Sequence, residues 1–482
     1  MTQQHIYDTF VVGAGISGIA AAIRLKKVGY NNFKIIEKAT RVGGTWRENT
    51  YPGCGCDVPS ALYSYSFAPS AKWSHLFARQ PEILNYLEEV SENFDVKPMI
   101  EFGTELEQAQ WDDSRKLWVL DTNKGQYLSK TVLFATGPIT EPTTPKVEGL
   151  DTFTGEMFHS AKWNHDYDLT GKRIAVIGTG ASAIQIIPEM AKIASELYVV
   201  QRTPAWVVPK PDYAYREDTK DKYEQHPLKR WMYRNKLYWT LEFNATGFLV
   251  DPRLMKFGKK FAIKNLRKVN DEQLRQKLTP NYTLGCKRIL MSNKYYPVFN
   301  KPHVHLLQGA VEEMNEMGIC VNGQWTDVDV VIFCTGFDVT NQAQHFDITG
   351  RGGLAIKDHW ANGMHAYLGI CSHQFPNAFF LLGPNTGLGH NSIIFMIESQ
   401  VRYVGEALSY LTAQQATAIE VDAQIEARYV QEMRQRTQGS VWQAGGCNSW
   451  YLDQYGQNTT LWPSFTFNYW LRTRVLDRKS VV

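Results

Sequence analysis

The sequence lacks several features that mark common protein classes. Its 482 residues include only seven cysteines, and no two have Cys-x-x-Cys spacing, which excludes a disulfide-rich scaffold and a dithiol reductase. No histidine–cysteine cluster has zinc spacing, so no metal site is predicted. No uncharged apolar run reaches the ~18–20 residues of a membrane span. With 51 lysines and arginines against 48 aspartates and glutamates, nucleic-acid binding is not expected. The small, odd number of cysteines indicates a reducing compartment, so we predict a cytoplasmic protein.

What the sequence does contain begins with a dinucleotide-binding pattern in its first forty residues. A buried strand (9–12) precedes the turn GAGISG, a helix and a second strand that ends at Glu37. Gly13 permits the tight turn, Gly15 lets the backbone approach a pyrophosphate, and Gly18 allows close helix–strand packing. Glu37 can accept hydrogen bonds from ribose hydroxyls. The pattern therefore predicts a dinucleotide with an unmodified ribose.

A second copy of this pattern follows, with a different ending. The strand RIAVI (173–177) leads into the turn GTGASA, which contains Gly178 and Gly180. The next strand ends at Gln201 and Arg202, where the first copy has its acidic residue. A carboxylate would repel a 2′-phosphate, whereas an arginine attracts it. The second site is therefore predicted to bind NADPH.

Two further apolar strands indicate how the two units are nested. TVLFATG (131–137) and DVVIFCTG (329–336) each read as the last strand of a unit, and FFLLGPNTGLGHNS (379–392) as a return to the first. We predict an α/β fold with two Rossmann-like dinucleotide-binding domains, the second inserted in the first. Residues 1–140 and 370–482 would bind FAD, and residues 141–369 NADPH. This pairing implies electron transfer from NADPH to FAD.

Residues 206–275 interrupt the alternation of helices and strands and are basic. They contain sixteen lysines and arginines against nine aspartates and glutamates, interspersed with aromatic residues. We predict a helical insertion at about 205–280. Two interpretations remain open: covering helices whose lysine and arginine stems lie over aromatic surface, or a face that contacts a membrane surface or an apolar substrate. Composition alone favours the covering helices.

Three local patterns carry a family resemblance. They are GGTWRENTYPGCGCD (43–57), FTGEMFHSAKW (153–163) and GCKR (285–288). Together with the two flanking glycine-rich turns, they resemble the type I Baeyer–Villiger monooxygenases, in particular the shorter members, over nearly the whole chain. The sequence departs from the family where Asn164 follows the tryptophan of the second pattern, and where Gly55 replaces a larger residue.

The resemblance implies both a reaction and residue roles. NADPH would reduce FAD, dioxygen would add to the reduced flavin, and the resulting peroxide would convert a ketone into an ester or lactone; sulfides would be oxidised as well. Arg288 would be the fixed cation beside the flavin and Asp57 its anionic partner. His159, included among the catalytic residues, would act as a hydrogen-bonding hinge between the domains more than as an acid or base.

The predicted cofactor-binding residues comprise the glycine-rich turns, the strand ends and residues that the resemblance places near the flavin. For FAD they are Gly13, Ala14, Gly15, Ser17, Gly18, Glu37, Lys38, Gly44, Thr45, Trp46, Asp57, Tyr63 and Asn385. For NADPH they are Gly178, Thr179, Gly180, Ala181, Ser182, Arg202, Thr203 and Lys287, the last three at the 2′-phosphate.

Other classes share parts of this pattern. A flavin monooxygenase that oxidises nitrogen or sulfur has both glycine-rich turns but less need for Arg288, so Trp163, Asp57 and GCKR favour ketone oxidation. A non-catalytic NADPH-sensing protein would have no use for Asp57 and Arg288. The cysteines in apolar strand contexts, such as Cys286 and Cys334, are predicted to be small core residues.

Overall fold

The computed structural model describes residues 5–339, 347–447 and 449–480. Its strands form five sheets. In chain order the strands are β1 (Ile6–Tyr7), β2 (Thr9–Val12), β3 (Phe33–Glu37), β4 (Ile100–Phe102), β5 (Leu106–Asp112), β6 (Leu117–Thr122), β7 (Gly125–Ser129), β8 (Val132–Phe134), β9 (Glu156–His159), β10 (Arg173–Ile177), β11 (Glu196–Gln201), β12 (Val207–Val208), β13 (Leu290–Met291), β14 (Val304–Gln308), β15 (Val311–Met314), β16 (Gly318–Val321), β17 (Gln324–Asp327), β18 (Val330–Phe333), β19 (Asp347–Thr349) and β20 (Ala378–Phe380).

The helices lie mostly between these strands or after the last of them. They are α1 (Ile16–Lys27), α2 (Thr45–Glu48), α3 (Gln80–Asn93), α4 (Ala181–Met190), α5 (Glu217–Gln225), α6 (Pro227–Asn244), α7 (Thr246–Leu249), α8 (Met255–Leu266), α9 (Glu272–Lys277), α10 (Tyr295–Val298), α11 (Ile356–His359), α12 (Ile393–Ala413), α13 (Ala423–Thr437), α14 (Val441–Ala444) and α15 (Thr466–Thr473). Among the residues described, no helix has the length and apolar composition to cross a membrane.

The first dinucleotide-binding sheet is fully parallel and has the order β20-β8-β2-β3-β4. Its central strands are buried apolar runs, as expected for a parallel sheet covered on both faces. β8 comes from TVLFATG and pairs with both β2 and β20, although β20 follows far later in the chain. The chain between these two neighbouring strands contains the second unit, which confirms the nested arrangement.

The second dinucleotide-binding sheet repeats this architecture. It is parallel throughout, with the order β14-β11-β10-β18-β9. β18 comes from DVVIFCTG and lies beside β10, as β8 lies beside β2. The edge strand β9 ends at His159, which lies opposite Phe333 in the register of the two strands. The remaining sheets are a mixed sheet, β1-β7-β6-β5-β19, a β15-β16-β17 meander and a β12-β13 pair.

The predicted helical insertion lies between β11 and β14, which are neighbours in the second sheet. It opens with the short strand β12 and continues through α5 to α9. Asn265 of α8 donates its amide hydrogens to the carbonyl oxygens of Val207, 3.2 Å away, and Ser292, 3.0 Å away. This buried side chain therefore attaches the insertion to the β12-β13 pair.

One cysteine prediction is incomplete. Cys286 is a buried core residue, as predicted, but it also forms a disulfide with Cys447, from which 161 positions separate it in sequence. Pairing between cysteines so far apart depends on the tertiary fold and has no spacing signal in the sequence. Cys334 is a buried free thiol, as predicted. The disulfide joins the GCKR segment to the C-terminal part of the chain.

Candidate active site

The first glycine-rich turn has the geometry that its sequence predicts. Gly13 has a φ of +104°, and a Cβ added there would lie 2.7 Å from the carbonyl oxygen of Ala135. At Gly18 an added Cβ would lie 1.9 Å from the carbonyl oxygen of Gly13. Because no side chain fits at either position, α1 begins directly against the end of β2 and presents its N-terminal N–H groups beyond the sheet.

The carboxylate of Glu37, where β3 ends, holds this turn in place. It is buried and accepts hydrogen bonds from the backbone N–H of Ala14, at 2.9 Å, and of Ala39, at 3.0 Å. Arg47 lies 3.1 Å from the same carboxylate. Glu37 therefore fixes the turn beside which the ribose is predicted to lie, and Arg47 neutralises its charge. The sequence pattern does not single out Arg47.

A second glycine faces the first turn. Gly44 precedes α2, and a Cβ added there would lie 3.1 Å from the Cα of Gly15, so two loops face each other through bare backbone. Thr45 begins α2, and Trp46 is buried behind it with its indole N–H donating to the Tyr63 hydroxyl, 3.1 Å away. A cleft lined by backbone at the start of two helices fits the pyrophosphate of a dinucleotide.

Three other predicted FAD residues have different surroundings. Ser17 is buried in α1. Lys38 is half exposed and lies 3.5 Å from the carboxylate of Glu141. Asn385 is buried with a φ of +55°, and its side-chain amide donates to the carbonyl oxygen of Asn458, 2.7 Å away. The amide hydrogens of Asn385 therefore hold the C-terminal loop.

The second glycine-rich turn repeats the close approach that the first makes at its opening glycine. Gly178 has a φ of +119°, and an added Cβ would lie 2.5 Å from the carbonyl oxygen of Cys334, the residue that follows β18. A Cβ added at Gly180 would meet no atom within 4 Å, so the start of α4 is open to a ligand. The hydroxyl of Thr179 donates to the carbonyl oxygen of Thr203, 2.8 Å away. This bond ties the turn to the end of β11.

Two cations meet beside this turn. Arg202 is exposed, and Lys287 is half-buried with its ammonium 5.3 Å from the centre of the Tyr282 ring. Burial lowers the pKa of Lys287, and the nearby positive charge of Arg202 lowers it further. Two like charges brought together in this way attract a doubly charged anion, and the sequence predicts the 2′-phosphate of NADPH at this position.

The patterns at 43–57 and 285–288 meet in one ionic cluster. The carboxylate of Asp57, whose side chain is only 9% exposed, lies 3.4 Å from the guanidinium of Arg288 and 3.4 Å from the ammonium of Lys210. Lys210 also donates to the carbonyl oxygen of Cys56, 2.9 Å away, and is itself 10% exposed. Arg288 is 43% exposed, so its guanidinium reaches from the cluster into open space.

The charge of Arg288 is secured by its neighbours. Burial on its protein-facing side lowers the pKa of the guanidinium, but Asp57, Tyr451 and Cys56 act in the opposite direction and outweigh it. The pKa of Arg288 is therefore raised above the already high value of an arginine, and the side chain is cationic.

The two dinucleotide-binding units meet at the loop that contains Asp57. Gln185 of α4 accepts a hydrogen bond from the Tyr51 hydroxyl, at 3.0 Å, and donates to the carbonyl oxygen of Gly55, also at 3.0 Å. Ala181 and Ser182 begin the same helix, and Ser182 hydrogen-bonds Tyr51. The helix that starts at the predicted NADPH turn thus supports the loop that holds Arg288.

His159 lies in a different place from the ionic cluster. It is 5% exposed, its Nδ1 accepts a hydrogen bond from the backbone of Ala161 at 3.1 Å, and its ring packs edge-on against Phe337. Burial lowers the pKa of His159 to about 4, and the backbone of Gly336 only partly offsets this. A neutral imidazole between β9 and the end of β18 agrees with a hinge. None of its contacts among the described residues involves Asp57.

The sequence reasoning missed three residues that complete this arrangement: Arg47, Gln185 and Lys210. Gln185 and Lys210 contact residues of these patterns from outside them, and Arg47 contacts Glu37. Lys210 comes from the start of the insertion, more than 150 positions after Asp57. Only Arg47 carried a local signal, because it lies within the stretch GGTWRENTYPGCGCD.

Comparison with known proteins gives a consistent result. A family model described as pyridine nucleotide-disulphide oxidoreductase matches residues 10–238. A Baeyer-Villiger monooxygenase from Pseudomonas aeruginosa is 43% identical over 97% of this chain and 89% of its own length. A Baeyer-Villiger monooxygenase from Streptomyces coelicolor is 40% identical over 97% of this chain and 91% of its own length.

Solved structures agree over nearly the full chain. An oxidized steroid monooxygenase bound to NADP has a TM-score of 0.88 at 32% identity and covers 97% of both chains. Cyclohexanone monooxygenase from Rhodococcus sp. Phi1, bound to NADP+, has a TM-score of 0.88 at 28% identity and covers 98% of this chain and 97% of its own. The chain therefore belongs to the Baeyer–Villiger monooxygenases, FAD- and NADPH-dependent enzymes that insert one oxygen atom from dioxygen into a ketone.

Proposed function

We propose that Arg288 is the cation that stabilises negative charge during oxygen insertion. Asp57 holds its guanidinium in place, and Lys210 adds a second positive charge to the cluster. The observation that carries the proposal is the Asp57 carboxylate, which is buried between the two cations at 3.4 Å from each. One carboxylate neutralises only one of two cations. The cluster therefore keeps a net positive charge next to the space into which Arg288 projects.

FAD, when bound and reduced by NADPH, supplies the chemistry that activates dioxygen and delivers one oxygen atom to the ketone. The contribution of the chain is electrostatic. Negative charge develops on the carbonyl oxygen of the ketone when it is attacked, and a fixed guanidinium stabilises that charge more strongly where protein excludes water. Asp57 orients the guanidinium, and the raised pKa of Arg288 means that it never has to lose its proton.

The residue assignments for the cofactors form part of this proposal. FAD would be held by residues 1–140 and 370–482, with its pyrophosphate between Gly15 and Gly44 and its ribose beside Glu37. NADPH would be held by residues 141–369, with its 2′-phosphate on Arg202 and Lys287. His159 would connect the two domains without exchanging a proton with the substrate. We also propose a cytoplasmic location, because one disulfide beside five free cysteines is not the framework of a disulfide-stabilised secreted protein.

The substrate class is tested with labelled dioxygen and a panel of linear, cyclic and aryl ketones plus one thioether. We expect esters or lactones that contain one labelled oxygen atom, and a labelled sulfoxide from the thioether. Sulfoxide without any ester would favour a heteroatom-oxidising enzyme. It would also mean that Asp57 and Arg288 do not serve ketone oxidation.

The role of Arg288 is tested with Arg288→Ala. The variant should keep its FAD and still oxidise NADPH. Its ester yield should fall by about 100-fold or more, because the fixed positive charge beside the reacting oxygen is removed. Arg267→Ala, an exposed arginine of the insertion, serves as the matched control. A normal ester yield from Arg288→Ala would refute the assigned role, whatever its effect on FAD content.

A further inference from the structure

The helical insertion has an unusual surface. Of eighteen large hydrophobic side chains exposed in the described part of the chain, nine lie within residues 228–261. Their exposed fractions range from 42% for Leu254 to 76% for Phe243. The nine side chains, which we call the apolar patch, are Leu228, Trp231, Met232, Trp239, Phe243, Val250, Leu254, Phe257 and Phe261. Monomeric proteins rarely expose so many large apolar groups in one short stretch.

In α6 the exposed residues recur with helical spacing. Leu228, Met232, Trp239 and Phe243 are separated by four, seven and four positions, so they follow one face of the helix. Near the end of α6, Glu242 is buried and its carboxylate accepts hydrogen bonds from elsewhere in the protein. The helix is therefore anchored on one side and presents apolar side chains to solvent on another.

The segment around α8 has the same organisation. Leu254, Phe257 and Phe261 are separated by three and four positions and are exposed. Ala262 and Asn265 are buried, and Asn265 bonds the β12-β13 pair. The ammonium of Lys260 lies 5.7 Å from the centre of the Phe257 ring, but this ring is still 62% exposed. Lysine stems therefore do not bury the aromatic rings of the patch as the covering-helix interpretation requires. That interpretation therefore does not describe these side chains.

The same segment carries a large positive charge. Residues 226–268 contain eleven lysines and arginines and only two acidic residues. Of these two, Glu242 is buried, and Asp251 lies 2.9 Å from Arg253. Several exposed lysines interspersed with the patch have no carboxylate partner among the described residues: Lys229, Lys236, Lys256, Lys259, Lys260 and Lys264.

We propose that the apolar patch and its lysines dock on the surface of an anionic lipid bilayer. Tryptophan and phenylalanine insert at the boundary between headgroups and acyl chains, while lysines attract anionic headgroups from above that plane. A second copy of this chain would bring an equally positive surface and be repelled. A nucleic acid would satisfy the lysines but would leave Leu228, Met232 and Val250 in water.

The proposal is tested by flotation of the FAD-loaded enzyme with unilamellar vesicles. One preparation contains phosphatidylcholine alone, and the other contains about one third phosphatidylglycerol. We expect the enzyme to float with the anionic vesicles. The fraction of enzyme that floats should fall by about tenfold or more when the salt concentration is raised from 0.05 M to 0.5 M. Equal flotation with both preparations, or none with either, would overturn the proposal.

Two sets of variants separate the apolar and the electrostatic parts. Trp239→Ser with Phe243→Ser should abolish flotation by removing insertion, and Lys256→Glu with Lys260→Glu should lower it by at least about tenfold. Met317→Ser with Trp325→Ser removes two exposed apolar groups elsewhere and serves as the matched control. NADPH oxidation without vesicles should be unchanged in all three, which shows that the variants are folded.

The competing occupants have distinct outcomes. The patch would be assigned to a second copy of the chain by three results together. The enzyme would sediment as a dimer, the double variant Trp239→Ser with Phe243→Ser would sediment as a monomer, and the enzyme would not bind vesicles. Retention on immobilised duplex DNA in place of vesicles would assign it to nucleic acid. Either result overturns the lipid assignment, and neither affects the assignment of Arg288.

Discussion

The two glycine-rich turns have the same backbone architecture but opposite electrostatics. In each, the first glycine has a positive φ and lies against a carbonyl oxygen at the end of the neighbouring strand, Ala135 in one unit and Cys334 in the other. At the end of the next strand, one unit has Glu37, already bonded by its own turn, and the other has Arg202, exposed beside Lys287. The two units share their backbone geometry, and we propose that the residue at the strand end selects the dinucleotide.

The turns also differ in how tightly they are built. At the third glycine position of the dinucleotide-binding pattern, the first turn has Gly18, where an added Cβ would lie 1.9 Å from a carbonyl oxygen. The second turn has Ala183 at this position, and its side chain is fully buried. The first helix therefore packs closer to its strand.

The largest expected effect comes from removing that close approach. Gly18→Ala should prevent α1 from packing against β2, so that the purified protein carries little or no flavin. The converse change, Ala183→Gly, should cost only about 1 kcal/mol of stability and leave flavin content intact. Flavin absorbance per mole of protein measures both. Full flavin in Gly18→Ala would show that the first turn is no tighter than the second.

A smaller effect is expected from the charge that distinguishes the second unit. Arg202→Ala should raise the KM for NADPH by about 10- to 100-fold, because a charged hydrogen bond contributes about 1.5–3 kcal/mol. The KM for NADH should barely change. Steady-state oxidation of both nucleotides provides the measurement. An unchanged preference for NADPH would show that Arg202 does not contact the 2′-phosphate.

The smallest effect concerns the junction between the units. Folded His159 has a pKa of about 4 against 6.5 for a free histidine, so between these values the unfolded chain binds more protons. Stability should therefore rise with pH through this window and be lost as the pH falls toward 4. In His159→Gln the rise in unfolding free energy between pH 5 and pH 7 should be smaller by about 1–2 kcal/mol. Urea titrations at the two values test this, and an equal rise in both proteins would contradict it.

Local features of this protein were predictable from sequence, because their physical causes are local. Gly13, Gly18 and Glu37 lie within one strand–turn–helix–strand unit, and their spacing alone implies the turn geometry. The meeting of Asp57 with Arg288 came from family resemblance, since the residues are over 200 positions apart. The oppositely charged residues at the two strand ends, Glu37 and Arg202, were also predictable, because the dinucleotide-binding pattern fixes where each strand stops.

The rest depended on contacts between distant segments. Lys210 reaches Asp57 only because the insertion packs beside the loop at 51–57, and Gln185 reaches Gly55 only because the two units dock. The bond between Cys286 and Cys447 and the exposure of Phe243 are also tertiary properties. Composition showed that the insertion is basic and aromatic, but it could not show whether the aromatic rings face the protein or solvent.

The position of β20 beside β8 has a consequence for how the enzyme is made. During synthesis β8 emerges early and has β2 on one side, but its other neighbour follows more than two hundred residues later. At ordinary rates of translation this interval lasts about 10–50 s. The ribosome must therefore produce the whole NADPH-binding unit before the flavin sheet can close. Until β20 is made, β8 therefore has an unpaired edge, and an unpaired strand edge can pair with another chain.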